Sequence, residues 1–443
     1  MRSAVATFLI VILSAISISS CVQNVPYRTS ISAKRIPDAD SLPQKSHLLD
    51  EFSPNVFIGY VEYNEYGNLF DRTQMYDVVR QVESLTNPII VVFTHGWHHS
   101  AGQNDTNVEK FKETLSSVKI FENKTYMQGG VHRPVVGVYV GWRGESVDSD
   151  KALPLSILTF FDRKNTAHDV GNGGVEELFV RLNNFRYKPG NENSRLMIIG
   201  HSFGGLITYT ALHHHFIEMV TANNPEDYKK PLGDVVIIVN PAIEAMRFKS
   251  LFEIAWSNEK YVKSSRPMLA IVTTNQDEAT KTAFKWGRKI STIFNTYATN
   301  EDRELNTTAI GHYKPLITHT LLPLEDKKDV ECHRVASLYT QVSPKDDKSI
   351  CFINQGDNVP GNPLPTVLTR CDKVNDCTDV DPEFVRPKGS VYKNLIPYHV
   401  PILNIQTTSR VMDSHNDIWN PTMQLFLIRF MIGSLNEGIP AEG

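Results

Sequence analysis

Short apolar runs separated by longer amphipathic stretches make up most of this chain. The runs are rich in β-branched residues, and they are Ile89–Phe93, Val135–Val140, Leu196–Ile199, Val235–Val239, Met268–Val272 and Ile402–Ile405. Runs of this kind are typical of strands that are buried on both faces. Apolar residues recur with helical spacing over Val108–Val118, Val175–Phe185, Leu206–Met219 and Met423–Leu435. This alternation predicts an α/β fold, with a mostly parallel sheet and helices on both faces.

The start of the pattern predicts an antiparallel beginning to the sheet. Val56–Tyr63 and Leu69-Phe70 flank the residues Asn64-Glu65-Tyr66-Gly67-Asn68, which indicate a hairpin turn. A helix is expected next, over Thr73–Leu85.

A serine lies at a predicted strand-to-helix junction. The sequence Gly200-His201-Ser202-Phe203-Gly204-Gly205 follows one of the apolar runs and precedes a helical stretch. Glycines at 200 and 204 allow the strand and helix backbones to approach closely, while Ser202 is held strained and exposed. This context predicts a nucleophile elbow and therefore a hydrolase. An ordinary strand-glycine-helix connection is the alternative.

These residues resemble the α/β-hydrolase superfamily, and within it the bacterial serine esterases and lipases. The resemblance runs from about Val56 to Leu435 and is interrupted by an insertion. In that family the loop after the third strand donates a backbone N–H to the oxyanion, and Phe93-Thr94-His95-Gly96-Trp97 stands in that place. The resemblance implies an oxyanion hole formed by the N–H groups of Trp97 and Phe203. The alternative to an oxyanion hole is that Gly96 is an ordinary turn residue and that Trp97 belongs to the core.

A serine nucleophile needs a histidine base and an orienting acid, and the family order is serine, acid, histidine. Asp277 follows the predicted strand 268–272 and is the expected acid. Glu244, after the preceding strand, is the alternative acid, and Glu278 is a further one. Any of the three could instead be a solvated loop carboxylate.

The base is expected to be His415, which lies in the loop between the predicted last strand and the C-terminal helix. His319 is the alternative base, although no recognisable last strand precedes it. His312, His333 and His399 lie in or beside the insertion and are expected to be surface residues. No His-Glu-x-x-His motif and no paired cysteine knuckles occur, so we expect neither a metal nor a cofactor.

The N-terminus predicts export and lipid attachment. Residues 1–20 have the features of a signal peptide, and Ile18-Ser19-Ser20-Cys21 resembles a bacterial lipobox, which implies a lipidated Cys21. Residues 21–54 are expected to be a tether. The predicted location is the cell envelope at the outer membrane, with a secreted or periplasmic protein as the alternative.

The four other cysteines fall in one polar stretch, residues 300–397, which we predict to be an insertion between the hydrolase core segments 55–299 and 398–443. An even number of cysteines in an exported protein indicates two disulfides. Three pairings are possible, and we favour the one that joins neighbouring cysteines, Cys332 with Cys351 and Cys371 with Cys377. A zinc site is the alternative to disulfides. The insertion would be a cap or a decoration.

Charge excludes one class of partner. The chain has 45 Lys and Arg against 49 Asp and Glu, a net charge of −4, so nothing indicates nucleic-acid binding. The sequence predicts a serine hydrolase of small-molecule or lipid esters that works through an acyl-enzyme. The alternatives are a catalytically silent envelope lipoprotein with a binding role, and a thioesterase or phospholipase with the same triad.

Overall fold

The protein was analysed as a computed structural model. The structure describes residues 24–28, 49–125, 132–144, 160–222, 231–257, 267–324, 340–341, 349–352, 364, 366–370 and 401–436. Cys21, Cys332, Cys371 and Cys377, and with them the predicted lipid site and disulfides, lie outside these residues, as do His333 and His399.

One sheet of twelve strands organises the described residues, in the order β1-β2-β4-β3-β5-β6-β7-β12-β8-β11-β10-β9. The strands are β1 Asp50–Ser53, β2 Val56–Glu62, β3 Ile89–Thr94, β4 Val135–Gly141, β5 Arg195–His201, β6 Val235–Val239, β7 Leu269–Thr274, β8 His319–Pro323, β9 Thr340–Gln341, β10 Ser349–Phe352, β11 Thr366–Arg370 and β12 Ile402–Thr407. Every pairing from β2 across to β8 is parallel. The predicted α/β class with a mostly parallel sheet is confirmed.

Helices cover both faces of the sheet. They are α1 Arg72–Glu83, α2 Thr106–Thr125, α3 Phe160–Asn172, α4 Val175–Arg186, α5 Phe203–Thr221, α6 Ala245–Ser257, α7 Phe284–Ser291, α8 Asn300–Thr307 and α9 Pro421–Asn436. Neighbouring strand residues such as Val91 and Val92 point to opposite faces and join two separate apolar cores. One core contains α2 and α9, and the other contains α1 and α3–α8. Among the described helices, none has the length and apolar composition to span a bilayer.

The antiparallel start of the sheet is made by a different segment from the one predicted. β2 pairs with β1, which lies in the predicted tether, whereas the predicted hairpin is reduced to a single bridge between Tyr63 and Leu69. Residues 24–28 of the predicted tether also pack on the core. The buried carboxylate of Glu62 accepts hydrogen bonds from the backbone N–H groups of Tyr27 and Arg28, both at 2.7 Å. A buried carboxylate needs such donors, which explains why this segment docks.

The first part of the predicted insertion belongs to the core. α8 begins at residue 300, Ile310 and Leu316 are buried in the same core as α5, and β8 pairs in parallel with β12. The short strands β9, β10 and β11 then extend the sheet with antiparallel pairing. The packed core therefore continues past residue 300, where buried apolar residues alternate with polar surface residues.

Candidate active site

Ser202 lies at the sharp junction between β5 and α5. Its φ of 55° and ψ of −119° are a strained combination for a residue with a side chain. The backbone N–H of Ser202 donates to the Val239 carbonyl at the end of β6, 3.0 Å away. A Cβ at Gly204 would come within 2.1 Å of the Thr94 carbonyl oxygen, and one at Gly200 within 2.7 Å of the Gly204 carbonyl oxygen. The two predicted glycine positions are thus required by close packing of β3, β5 and α5.

The side chains of Ser202, His415 and Asp277 form one hydrogen-bonded series. The Ser202 Oγ lies 2.8 Å from His415 Nε2, and His415 Nδ1 lies 2.8 Å from Asp277 Oδ1. Because an ionised carboxylate only accepts, Nδ1 of His415 carries the proton and Nε2 accepts from the serine hydroxyl. The sheet brings these residues together, since Ser202 follows β5, Asp277 follows β7 and His415 follows β12 at the same edge.

Exposure changes along this series. The Asp277 side chain is fully buried and the His415 side chain is 19% exposed, whereas Ser202, which was expected to be exposed, is buried at 4%. The imidazole therefore reaches solvent while its carboxylate partner does not. Burial alone would raise the pKa of Asp277, but His415 and the hydrogen bonds from His415 and Thr280 lower it below its ordinary value. Asp277 accordingly stays ionised beside the histidine.

The loop that carries His415 is fixed through its backbone by residues that sequence reasoning missed. The His415 carbonyl accepts hydrogen bonds from Asn240 Nδ2 and His201 Nε2, both at 2.9 Å. Asn240 Oδ1 also accepts from the Thr274 N–H at 3.1 Å, and Thr274 Oγ1 donates to the Met412 carbonyl. These bonds tie the His415 loop to the ends of β6 and β7. The signals in the sequence are polar residues that follow apolar runs, namely Asn240 directly after Val239 and Thr274 two positions after Val272.

Asp277 has a second set of partners on its far side. Thr280 donates its N–H to Asp277 Oδ1 at 3.0 Å and its hydroxyl to Asp277 Oδ2. His312 Nε2 lies 2.9 Å from the same threonine hydroxyl. Because that hydroxyl proton goes to the carboxylate, Nε2 of His312 is the donor in this contact. His312 was expected on the surface, but it is half-buried, and burial lowers its pKa to about 4.

The predicted oxyanion residues lie in the two segments that meet at Ser202. Phe203 is the first residue of α5, where a backbone N–H has no partner within the helix. Trp97 follows Gly96, at which a Cβ would lie 2.9 Å from Ser202 Cβ, so the β3 loop touches Ser202. The Trp97 and Phe203 ring centroids are 6.3 Å apart, and Phe160 packs against both.

His95 holds the β3 loop in place. Its Nδ1 is 2.9 Å from the Gly96 carbonyl oxygen, and its Nε2 accepts from the Trp142 N–H at 3.2 Å, which defines a neutral ring protonated at Nδ1. The Trp142 indole N–H donates to the His95 carbonyl at 2.9 Å. Complete burial lowers the pKa of His95 to about 4, so this ring stays neutral near pH 7.

The alternative residues lie elsewhere. Glu244 is buried among Lys164, Arg247 and Arg288, at 2.8, 3.0 and 3.1 Å. His319 Nδ1 is 2.8 Å from Thr318 Oγ1 at the start of β8. Glu278 is exposed and accepts from Thr282 Oγ1 at 2.6 Å. The hydrogen bonds of Ser202 and His415 described above involve none of these three.

The described ranges contain no group of three or more His, Cys, Asp or Glu side chains arranged to hold a metal ion.

Comparisons with known proteins add little to this geometry. No protein-family model matches the chain, and no curated protein matches it. Two solved structures of phospholipase PlaB from Legionella pneumophila, one in complex with thio-NAD, are weakly similar, each with 13% identity and a TM-score of 0.21. The alignments cover 64% of this chain and 49% and 50% of the PlaB chains, so the match spans about half of PlaB. At this TM-score the likeness carries no argument about fold or function.

Proposed function

We propose that this protein is a serine hydrolase of carboxylic esters with an α/β-hydrolase fold. The observation that carries the proposal is the pair of 2.8 Å contacts that link Ser202, His415 and Asp277. A serine hydroxyl becomes a useful nucleophile only when a neighbouring base removes its proton. The strained backbone of Ser202 supports the same role, because such strain persists mainly at functional sites.

The mechanism follows from the positions of the donors and acceptors. Ser202 Oγ attacks the ester carbonyl as His415 Nε2 takes its proton, and Asp277 stabilises the imidazolium. The carbonyl oxygen becomes an oxyanion that the N–H groups of Phe203 and Trp97 would stabilise. His415 then protonates the leaving alcohol, which departs from the acyl-enzyme. Water attacks the acyl-enzyme with His415 as base, and the acid is released.

The test is labelling by a fluorophosphonate together with hydrolysis of p-nitrophenyl butyrate. Wild type should label and turn over, and Ser202→Ala should lose labelling and roughly 10⁴-fold or more in kcat. Ser194→Ala is the matched control, because Ser194 is equally buried but lies at the opposite end of β5. A folded wild type that does not label, or a Ser202→Ala variant that labels equally, would instead support the silent binding protein. Thioester and phospholipid substrates would separate the enzyme alternatives.

We also propose that Cys21 carries a lipid that holds the enzyme at the cell envelope. Only two residues separate Cys21 from the segment 24–28, which docks on the core, so such an anchor would keep the domain close to the membrane. Palmitate incorporation in bacterial cells tests this proposal. Wild type should be labelled and sediment with membranes, and Cys21→Ser should be unlabelled. An unlabelled wild type in the soluble fraction would favour a secreted or periplasmic protein.

A further inference from the structure

Exposed hydrophobic side chains are concentrated at one place on this protein. In the part of the chain that the structure describes, five large hydrophobic residues are exposed, and four of them fall between residues 286 and 294. They are Trp286, Ile290, Ile293 and Phe294, and Phe294 is 96% exposed. Single exposed hydrophobic residues are common, but a contiguous group usually marks a binding surface.

These residues form one face of a well-anchored helix. Trp286, Ile290 and Ile293 are spaced i, i+4 and i+7, so they lie along one side of α7 and the turn that follows it. The opposite side is buried through Phe284, whose ring lies 6.5 Å from that of Phe160. The exposed face is therefore not the result of a helix that has failed to pack.

Two lysines lie beside the apolar face. Residues 279–298 contain three Lys and one Arg but no Asp or Glu. The arginine, Arg288, turns inward to Glu244 at 3.1 Å, and Lys281 pairs with Glu278 at 3.6 Å, which leaves Lys285 and Lys289 beside the exposed face. The Lys289 Nζ lies 5.2 Å from the centre of the Trp286 ring. Lysine is depleted at protein–protein interfaces, whereas a basic helix with Trp, Phe and Ile is typical of the surface of an anionic membrane.

We propose that residues 284–294, here called the α7 surface, dock on an anionic lipid bilayer. The aromatic and Ile side chains would enter the headgroup region, and the lysines would pair with acidic lipids. Because Phe284 contacts Phe160, which in turn packs on Phe203, the docked bilayer would lie one helix away from Ser202. Docking does not depend on the proposed hydrolase function, since it requires neither Ser202 nor His415.

Vesicle co-sedimentation tests the α7 surface. The full chain would carry Cys21→Ser, so that no attached lipid contributes, and would be mixed with phosphatidylcholine vesicles with or without phosphatidylglycerol. We expect binding that requires phosphatidylglycerol and weakens with salt. Ile290→Asn combined with Phe294→Ser should weaken it about tenfold or more. Lys285→Gln combined with Lys289→Gln should weaken it roughly 25-fold, at about fivefold per lysine.

Tyr66→Ser is the matched control, because Tyr66 is the fifth exposed large hydrophobic residue and lies outside the α7 surface. Its binding should equal that of the parent chain, and so should that of Ser202→Ala. A blue shift of Trp286 emission on vesicle addition, absent in Trp286→Phe, would locate the contact. The proposal is overturned if the Ile290→Asn/Phe294→Ser variant binds as well as the parent. It is also overturned if the parent does not bind the anionic vesicles. A dimer of the parent that this variant abolishes would then show that a second copy covers the surface.

Discussion

Two carboxylates at neighbouring strand ends, Glu244 after β6 and Asp277 after β7, are both buried but have opposite surroundings. Asp277 faces one imidazole and one hydroxyl, whereas Glu244 faces three cations. Burial alone would raise the pKa of Glu244, but Lys164, Arg288 and Arg247 lower it to about 2. The comparison teaches that position in the sheet makes either residue a candidate acid, and that the side chains converging on it determine which one can orient a base.

The Glu244 cluster has a structural role. It joins Lys164 of α3 to Arg247 of α6 and Arg288 of α7, and the Glu244 backbone also bridges to Ala309. Burial lowers the pKa of Lys164 to about 8 despite its contact with Glu244. The two pKa values fall for different reasons. Three cations stabilise the ionised form of Glu244, whereas burial disfavours the charged form of Lys164 and the nearby Arg288 and Arg247 add to that effect.

The sharpest way to break the comparison is to neutralise each carboxylate and measure hydrolysis. Asp277→Asn should lower kcat for a soluble ester about 10⁴-fold, because an amide favours the wrong tautomer of His415. Glu244→Gln should change kcat by less than about threefold, since Glu244 has no contact with the reacting groups. Rates would be corrected by fluorophosphonate titration of active sites. Equal losses in the two variants would show that both carboxylates support the histidine.

The loss of folding stability should follow the reverse order, with Glu244→Gln losing more than Asp277→Asn. Glu244→Gln leaves three cations around a neutral amide, and breaking a buried ion pair in this way costs roughly 3–5 kcal/mol. Asp277→Asn should cost less, because it removes one carboxylate from a site with a single imidazole. Urea unfolding of both variants gives the two free energies. As a control, Lys164→Met combined with Glu244→Met should recover part of the loss, because it removes the most buried of the three cations together with the carboxylate.

The acid range sharpens the comparison further. The pKa of Glu244 is about 2 in the folded protein against an ordinary 4.5, so between these values the unfolded chain binds a proton that the folded chain does not. The stabilisation of the folded protein by ionised Glu244 is therefore fully present above pH 4.5, and it is lost as the pH falls toward 2. The loss amounts to about 3 kcal/mol. The free energies of unfolding of wild type and Glu244→Gln should approach each other as the pH falls from 4.5 to 2. If the two free energies instead stay a constant distance apart, the lowered pKa of Glu244 is contradicted.

Much of this site could be predicted because local rules determine it. Gly200 and Gly204 mark the elbow through close backbone packing, and the alternating apolar runs place Ser202, Asp277 and His415 after three parallel strands, β5, β7 and β12. The choice between Asp277 and Glu244 depends on the strand after which the family usually places its acid, because no local pattern shows that Lys164 and Arg288 meet at Glu244.

The remaining differences share a long-range cause. The sequence of residues 24–28 is typical of a linker, but the buried Glu62 binds the N–H groups of Tyr27 and Arg28, which lie 35 and 34 positions before it in the chain. The sequence around His312 predicts a surface residue, but its imidazole contacts Thr280, which lies 32 positions earlier in the chain. β8 also takes its place between β12 and β11, which the order of the sequence does not indicate. Such contacts follow from the assembled sheet and not from residues that are neighbours in the sequence.

The smallest expected effect concerns the far side of Asp277, where Thr280 and His312 act as positioning residues. Thr280→Val removes the hydroxyl that donates to Oδ2 of Asp277, a charge-assisted bond whose loss should lower kcat/KM about tenfold. The carboxylate then becomes more basic and holds the imidazolium more strongly, so the acid limb of the kcat/KM profile should move to higher pH. Thr280→Ser restores the hydroxyl and should restore both the rate and the limb. A Thr280→Val variant with lower stability but an unmoved pH profile would mean that this threonine only packs.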